Sequence, residues 1–416
     1  MGKGILREEQ FRPILRRPPP ICTTMAVNLF RRTAMEAPTA VVPLIEILRR
    51  VPDPRMIKKS EHRLLDVLVI AICAVICGAE HWTEMEEFGE CKEKWFRSFL
   101  ELPNGIPSHD TFGRVFAAID PQQFRQCYVE WIQGFMQGVD VRHICLDGKT
   151  VRGSRHAPAS KQAIHMISAY ARECGLVLTQ EKVNGKGNEV TALPEVLGRL
   201  ALSGAIVSID AMGCQKGIAC QIKRQGGEYV LGLKGNQSKL AEAVTHHFQC
   251  AERDGFALLD HDSYTTLDGD HGRVETRQYD VIGDAEWLDP GRQWGGLAAV
   301  GRVRSTRTVK ADGSTSTETR YYLLSKRLTA QEFAEASRSH WAIENSLHWV
   351  MDVAFGEDAC RVHAGHGAEN FVMLRHIALG LLKQGTRVKR GIKTRRKVAG
   401  WDENYLLELL KGKFHA

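Results

Sequence analysis

The chain has 416 residues, 43% hydrophobic and 25% charged, and its 56 Lys and Arg against 49 Asp and Glu give a net charge of +7. This length allows two or three domains with cores of their own, and the composition is that of a globular protein without long low-complexity tracts or internal repeats. The basic excess is too small in total to establish a nucleic-acid partner. The eleven cysteines are scattered and include no Cys-x-x-Cys, which leaves a zinc ribbon or a thioredoxin-like site unsupported. Cys73, Cys77 and Cys145 fall inside apolar runs, as small buried thiols do, and a reducing cytoplasm fits best.

The first 44 residues carry Arg16-Arg17, Arg31-Arg32 and Pro18-Pro19-Pro20 but no clean apolar stretch before a cleavage site, so a secretory signal is rejected. This leader is expected to be a disordered arm or an artefact of the start, with Met25 and Met35 as alternative first residues. Residues 45–138 read as a helical N-terminal domain. Leu64 to Ala79 is the one membrane candidate, but Asp66 leaves only about 13 apolar residues where a span needs about 20. A buried core helix to about Gly78 is expected instead. A second helix is predicted over Thr83 to Leu100. A third opens at Ser108-His109-Asp110 and runs through Ala118, and a fourth runs from Asp120-Pro121 to near Gly138. A small packed bundle is preferred over a helix-turn-helix.

From about 139 to 385 the pattern becomes α/β. Strands are predicted at His143–Lys149, Ala163–Glu173, Leu176–Val183, Ala205–Asp210 and Tyr229–Leu233. Helices are predicted at Thr191–Leu202 and Gln215–Gln225, and Gly175 makes a hairpin turn. Three strands in a meander followed by helix–strand units is the order of a ribonuclease H-like fold, which would set Asp147 beside Asp210. A helix near Lys239–Asp254 follows. A β-rich insertion is then expected at about 255–327, projecting from the core, with strands at Arg277–Ile282, Leu297–Arg304 and Arg320–Ser325 and a turn at Asp312-Gly313. Arg302, Arg304 and Arg307 cluster there and would hold DNA or a partner subunit, or line a solvated strand face. Helix resumes from about Thr329 through Val353 and again over His366–Lys383. Residues 386–416 form a basic C-terminal segment: Lys383 to Lys397 holds eight basic residues and no acid, a run suited to a phosphate backbone or to plain solvation.

Three acids stand out. Asp147 and Asp210 each end a short apolar run, and Glu344 lies far downstream on a helix. Singly each is weak, because an Asp at a strand end is usually a turn former or a helix cap. As an ordered set they can hold divalent cations for phosphodiester chemistry, since Mg²⁺ takes oxygen ligands and two ions can serve the attacking and leaving oxygens.

The residues around these acids carry a resemblance. Asp147-Gly148-Lys149-Thr150-Val151-Arg152-Gly153-Ser154, Ser208-Ile209-Asp210-Ala211 with Cys214-Gln215, and Tyr229 through Gln237 are similar to segments of insertion-sequence transposases of the H-repeat-associated (ISAs-type) group, within the DDE superfamily. So are His340-Trp341-Ala342-Ile343-Glu344-Asn345-Ser346-Leu347-His348-Trp349, Asp352 through Asp358, and Ile392 through Trp401. The resemblance spans roughly residues 45 to 410. It implies a ribonuclease H-like core, two Mg²⁺ or Mn²⁺ ions on Asp147, Asp210 and Glu344, no organic cofactor, and cleavage and strand transfer at the ends of a mobile element. Double-stranded DNA, as element ends and target, would be the partner of a homodimer working in the bacterial cytoplasm, away from membranes.

The chain departs from related groups that carry a Tyr-Arg-Glu-Lys signature around the third acid. It has His340 four positions before Glu344 and Met351 seven after, so the DNA contacts of that signature do not carry over. His340, Glu344 and His348 share a helical face, and the two histidines could donate to phosphate oxygens or pack structurally. Glu-x-x-x-His is the wrong order for a zinc protease. Lys149 and Lys234, each following a predicted strand, could neutralise phosphate charge, and Gly148 and Gly235 would serve turns. Arg395, Arg396 and Lys397 are further candidates for the DNA backbone. The rival readings are a DNA-binding remnant without catalysis and a ribonuclease H-like nuclease that cuts without joining.

Overall fold

The computed structural model describes residues 44–56, 60–136, 138–156, 162–183, 189–270 and 272–411. The expected N-terminal leader lies outside the described residues, apart from Leu44. Six helices come first: α1 (Leu44–Leu48), α2 (Leu64–Cys77), α3 (Trp82–Cys91), α4 (Glu93–Phe96), α5 (His109–Ala118) and α6 (Pro121–Met136). Apolar residues surround α2 on every side, so it has no face for water and is buried along almost its whole length. Among the described residues no single helix is long and apolar enough to cross a membrane; α2 and α3 pass such a test only as a pair, bent by 96°. The single helix expected over Thr83–Leu100 is instead two, broken at Lys92. The predicted caps are in place. Ser108 accepts from Thr111 N at 3.4 Å, and Asp120 Oδ1 accepts from Gln122 N at 2.8 Å just before Pro121, a residue suited to a first helical turn.

The sheet begins with an antiparallel meander of β1 (His143–Val151), β2 (Ile164–Ala171) and β3 (Leu176–Val183), and Gly175 adopts φ +68° in the turn between the last two. Then α7 (Glu189–Gly198) leads to β4 (Ile206–Ile209), and α8 (Lys216–Arg224) leads to β5 (Glu228–Leu233). Strand β4 lies parallel to both β1 and β5, giving the order β3-β2-β1-β4-β5 of a ribonuclease H-like core.

After α9 (Ser238–Arg253) come four long antiparallel strands: β6 (His261–Asp270), β7 (Arg273–Ile282), β8 (Ala299–Val309) and β9 (Thr315–Leu324). The β-rich insertion expected here is present, but as an extension of the core sheet and not a sheet of its own: β9 pairs antiparallel with β5, and the sheet continues as β5-β9-β8-β7-β6 to nine strands. The pairing covers an edge of β5 that would otherwise leave backbone donors and acceptors open. The expected DNA-holding role of the arginines here is corrected too. Arg302 is buried, with Asp280 at 2.8 Å and Glu252 at 3.0 Å, while Arg304 pairs with Glu252 at 2.7 Å and Arg307 approaches Glu275 at 3.5 Å.

Helix α10 (Ala330–Ile343) opens with a capping box between Thr329 and Glu332 and passes without a break through a π-helical turn, Glu344–His348, into α11 (Trp349–Phe355). Then α12 (Gly367–Gln384), almost wholly buried, packs on α2, α5, α6 and β3, and α13 (Ile392–Trp401) and α14 (Glu403–Lys411) close the chain. One hydrophobic core runs from Leu44 through the sheet to Leu410, so the helical layer and the core strands of the sheet bury each other.

A buried ion cluster clamps this assembly. Gly356 takes a left-handed conformation (φ +58°) at the end of α11 and turns the chain so that Glu357 enters the interior. Lys149 Nζ, from β1, lies 2.7 Å from Glu357 and 2.5 Å from Asp352 of α11, and donates to the His348 carbonyl at 3.4 Å. Arg375 of α12 stands 3.8 Å from Glu357. Beside them His376 is buried, which pushes its pKa down to about 4.

The basic run is not a free tail. Arg395 donates to the carbonyls of Leu382 (2.6 Å) and Gly385 (3.0 Å) at the end of α12. Arg396 is 5% exposed and donates to Val75 O at 2.8 Å and to Ala354 O, so one guanidinium caps α2 and α11 together, 4.3 Å over the Phe355 ring. The expectation that Arg395 and Arg396 contact DNA is therefore corrected: carbonyls at helix ends claim both. Lys397 remains exposed.

Arg396→Ala should lower stability by about 3 kcal/mol, since it removes charged hydrogen bonds from buried carbonyls. Lys397→Ala should change stability by less than ~0.5 kcal/mol. Denaturant titration of both variants checks the contrast. His376 predicts an acid-side loss of stability. Its folded pKa lies below the unfolded value of about 6.5, so the unfolded chain takes up the proton first. The contribution is complete above about pH 6.5 and is lost as pH falls toward about 4. The slope of stability against pH in that window should be shallower in His376→Gln.

Candidate active site

The site forms where β1 outruns its parallel neighbour. Pairing of β1 with β4 ends at Leu146 beside Ile209, so the next residues, Asp147 and Asp210, stand side by side at the open end. Asp147 is not the end of its own strand: β1 continues to Val151 against β2, with Asp147 opposite Ser168. Gly148 is accordingly a mid-strand residue and not the turn expected. A side chain there would collide with His165, whose Nε2 stands 2.7 Å from Glu189 of α7. Gly235 does open a turn, the short helix Gly235–Gln237.

Asp210 leaves β4 and caps the following turn, its Oδ1 accepting from Met212 N at 3.0 Å and Gly213 N at 3.4 Å. Glu344 comes to Asp147 from a helix. Helix α10 crosses β1 and β4, held there by Cys145 Sγ donating to the Ser339 carbonyl at 2.9 Å. It delivers Glu344 at the first residue of the π turn, 53% exposed, and His348 at the last, 7% exposed.

Asp147, Glu344 and His348 can each offer one ligand atom such that all three atoms lie within 4.8 Å of one another, a grouping that can hold a metal ion. His348 Nδ1 is 3.4 Å from Asp147 Oδ2 and 3.9 Å from Glu344 Oε2. Burial pushes the Asp147 carboxyl up to about 7, and the charges of Glu344, Asp210 and Glu189 add to this against a hydrogen bond from the Gly148 backbone. Burial and the Lys149 ammonium push His348 down to about 4, so its ring is neutral. A buried carboxylate among like charges, next to a neutral imidazole, is a donor set that a divalent cation satisfies.

The remaining candidates divide. His340 stays close to the acids, against the Ser208 backbone and within the field of Asp210. Its Nδ1 is buried without a partner among the described residues, and burial lowers its pKa. Lys234 is exposed at the end of β5, next to a loop whose Asn236 donates to Ala211 O at 2.6 Å, which places it on the Asp210 side of the site. Lys149 does not face a phosphate, because Asp352 and Glu357 already occupy its ammonium. His348 is buried against the acids and not presented to solvent, so the surface phosphate contact expected of it is replaced by a place among the carboxylates. The pairs His165–Glu189 and Lys149–Glu357 had no signal in the sequence. The four-residue spacing of Glu344 and His348 was the one hint of the histidine's position.

Comparison with known proteins follows this geometry. Residues 45–132 match the family model described as DDE_Tnp_1-associated, and residues 140–381 match the transposase DDE domain. The H repeat-associated putative transposase YhhI of Escherichia coli (strain K12) is 40% identical over 373 residues, 89% of this chain and 98% of its own length. The putative transposase YncI of Escherichia coli O157:H7 is 40% identical over 373 residues, 89% of this chain and 95% of its own length. A cryo-EM structure of the piggyBac transposase synaptic complex with hairpin DNA aligns at TM-score 0.40 and 10% identity over 90% of this chain and 79% of that one, too slight a likeness to bear on the fold. With the transposase DDE domain covering more than half of its length and relatives matched almost end to end, the chain belongs to the DDE transposase family.

Proposed function

We propose that this protein is a metal-dependent DNA transposase that cleaves a phosphodiester at the ends of its own element and joins the freed 3′-hydroxyl to target DNA. The observation that carries the reading is the convergence of Asp147 and Glu344 at coordinating distance, with Asp210 on the adjoining strand. Asp147, Asp210 and Glu344 would hold Mg²⁺ or Mn²⁺, two ions in the working complex. Such ions activate an attacking oxygen and stabilise the leaving one without a covalent protein intermediate. The chain's own part is positional. The middle of β1 and the end of β4 fix two carboxylates, the π turn brings the third, and a cation in place of the Asp147 proton would offset the cost of burying that carboxyl.

DNA would approach over the exposed face of the helix that bears Glu344. A groove of about 520 Å³ lies there, lined by Arg277, Arg320, Arg338, Trp341 and Asn345 together with the acids Glu275 and Glu318, which pair with Arg277 and Arg320, and the Arg320 guanidinium stands 4.6 Å over the exposed Trp341 ring. Lys234, on the Asp210 side, is placed to meet a phosphate, and the exposed Lys389, Arg390, Lys393 and Lys397 offer a second basic surface. Joining requires two element ends to be held together, so the working unit is a homodimer on double-stranded DNA, in the bacterial cytoplasm where that DNA lies.

Asp147→Asn, Asp210→Asn and Glu344→Gln should each abolish cleavage of an element-end duplex while gel-shift binding remains. Normal cleavage by any one of them would sink the assignment. A strand-transfer assay with a supercoiled target separates joining from simple nuclease activity. Lys389, Arg390, Lys393 and Lys397 changed together to Ala should weaken binding alike for all sequences and flatten the salt dependence by up to about 0.9 log unit per lost contact. An unchanged salt slope would mean that this surface is only solvated.

A further inference from the structure

We propose that His348 is itself a metal ligand, forming with Asp147 and Glu344 a mixed carboxylate–imidazole site that takes Mn²⁺ through two oxygens and one nitrogen. The proposal rests on the acid site of the preceding reading and adds a donor of a different element to it.

Four observations converge. The His348 ligand atom lies within 4.8 Å of those of both acids, and its Nδ1 is 3.4 Å from Asp147 Oδ2. The ring is only 7% exposed, so a role at the DNA surface is closed to it. Its Nε2 is buried with no hydrogen-bond partner among the described residues, so the ring's polar contacts there are those of Nδ1 with the two acids. Finally, the π-helical turn begins at Glu344 and ends at His348. Such turns are rare and cluster at functional sites. Here the turn brackets the two side chains in question.

A purely electrostatic role fits less well. An imidazolium between two carboxylates would make a salt bridge, but the ring is buried and Lys149 donates to the His348 carbonyl, so a positive charge already stands beside it. With Nδ1 protonated the ring would meet Asp147 only at the long distance of 3.4 Å, whereas the other tautomer turns its Nδ1 lone pair toward the two carboxylates, where a cation would be held by all three. Imidazole nitrogen binds later first-row ions more tightly than Mg²⁺, whereas an all-carboxylate set suits Mg²⁺ and Mn²⁺ alike.

Pulsed electron paramagnetic resonance on the full chain loaded with Mn²⁺ tests this directly. Wild type should show ¹⁴N modulation from a coordinated imidazole. His348→Ala should lose that modulation and bind Mn²⁺ at least about tenfold more weakly, the loss known for removing even an outer-shell partner of a metal site. His348→Asp should keep Mn²⁺ through oxygen and still lack the ¹⁴N signal. His340→Ala should retain it. Modulation that survives in His348→Ala, or that is lost in His340→Ala instead, overturns the proposal. So does Mn²⁺ that Asp147→Asn displaces but that shows no nitrogen in wild type, and in that case the acid site itself stands. Mn²⁺ binding indifferent to both Asp147→Asn and Glu344→Gln would instead remove the acid site, and the proposal with it.

Discussion

A single ammonium group, Lys149, holds the two halves of the site in register. It extends from β1, two residues beyond Asp147, and is met by Asp352 and Glu357 from the chain that follows the third acid. Glu357 is as buried as any core residue, and Arg375 supports it from α12. Removing one partner from such a cluster strands a charge in the interior, at a cost of about 3–5 kcal/mol, whereas the assembled cluster costs little. The strand bearing the first acid and the helix bearing the third are thus tied by an interaction that is weak as a source of stability and strict about position.

The electrostatic design follows from this division. Positive charge is used up behind the acids, where Lys149, Arg375 and Arg396 are all spent on protein partners. Negative charge is left in front, where Asp147 and Glu344 come together about the His348 ring, with Asp210 on the adjoining strand, and no Lys or Arg among the described residues pairs with any of the three. Burial first, and the charges of Glu344 and Asp210 after it, raise the Asp147 carboxyl, a cost that a cation from solution would relieve. The exposed basic groups lie at the margins, on Lys234 and the α13 surface, where they can meet phosphates without neutralising the acids.

Local order was well written in the sequence. The strand Leu176–Val183, the cap at Ser108, the proline at 121 and the turn glycine at 175 each rest on chemistry within a few residues, and each is where that chemistry placed it. The adjacency of Asp147 and Asp210 was readable as well, because the order of strands and helices matches a ribonuclease H-like fold, in which the first and fourth strands are neighbours. What escaped depends on partners distant in sequence. Strand β6, His-Asp-Ser-Tyr-Thr-Thr-Leu-Asp-Gly-Asp, lacks an apolar alternation and is a strand because β7 pairs with it. Arg395 and Arg396 look like Lys397 in composition and differ only in the helix ends they meet. The place of Lys149 was settled by acids some two hundred residues away.

The π turn holds about one residue more than an α-helical turn and takes it up without turning the segments on either side out of register. Deleting one residue between Glu344 and His348 would let the turn relax to regular α-helix, with Asp352 still meeting Lys149 and Glu357 still entering the core. The change would fall on the turn itself, where Glu344 and His348 would stand three positions apart and the spacing of their ligand atoms around Asp147 would alter. The extra residue is thus one that the fold can do without and the grouping of Asp147, Glu344 and His348 cannot.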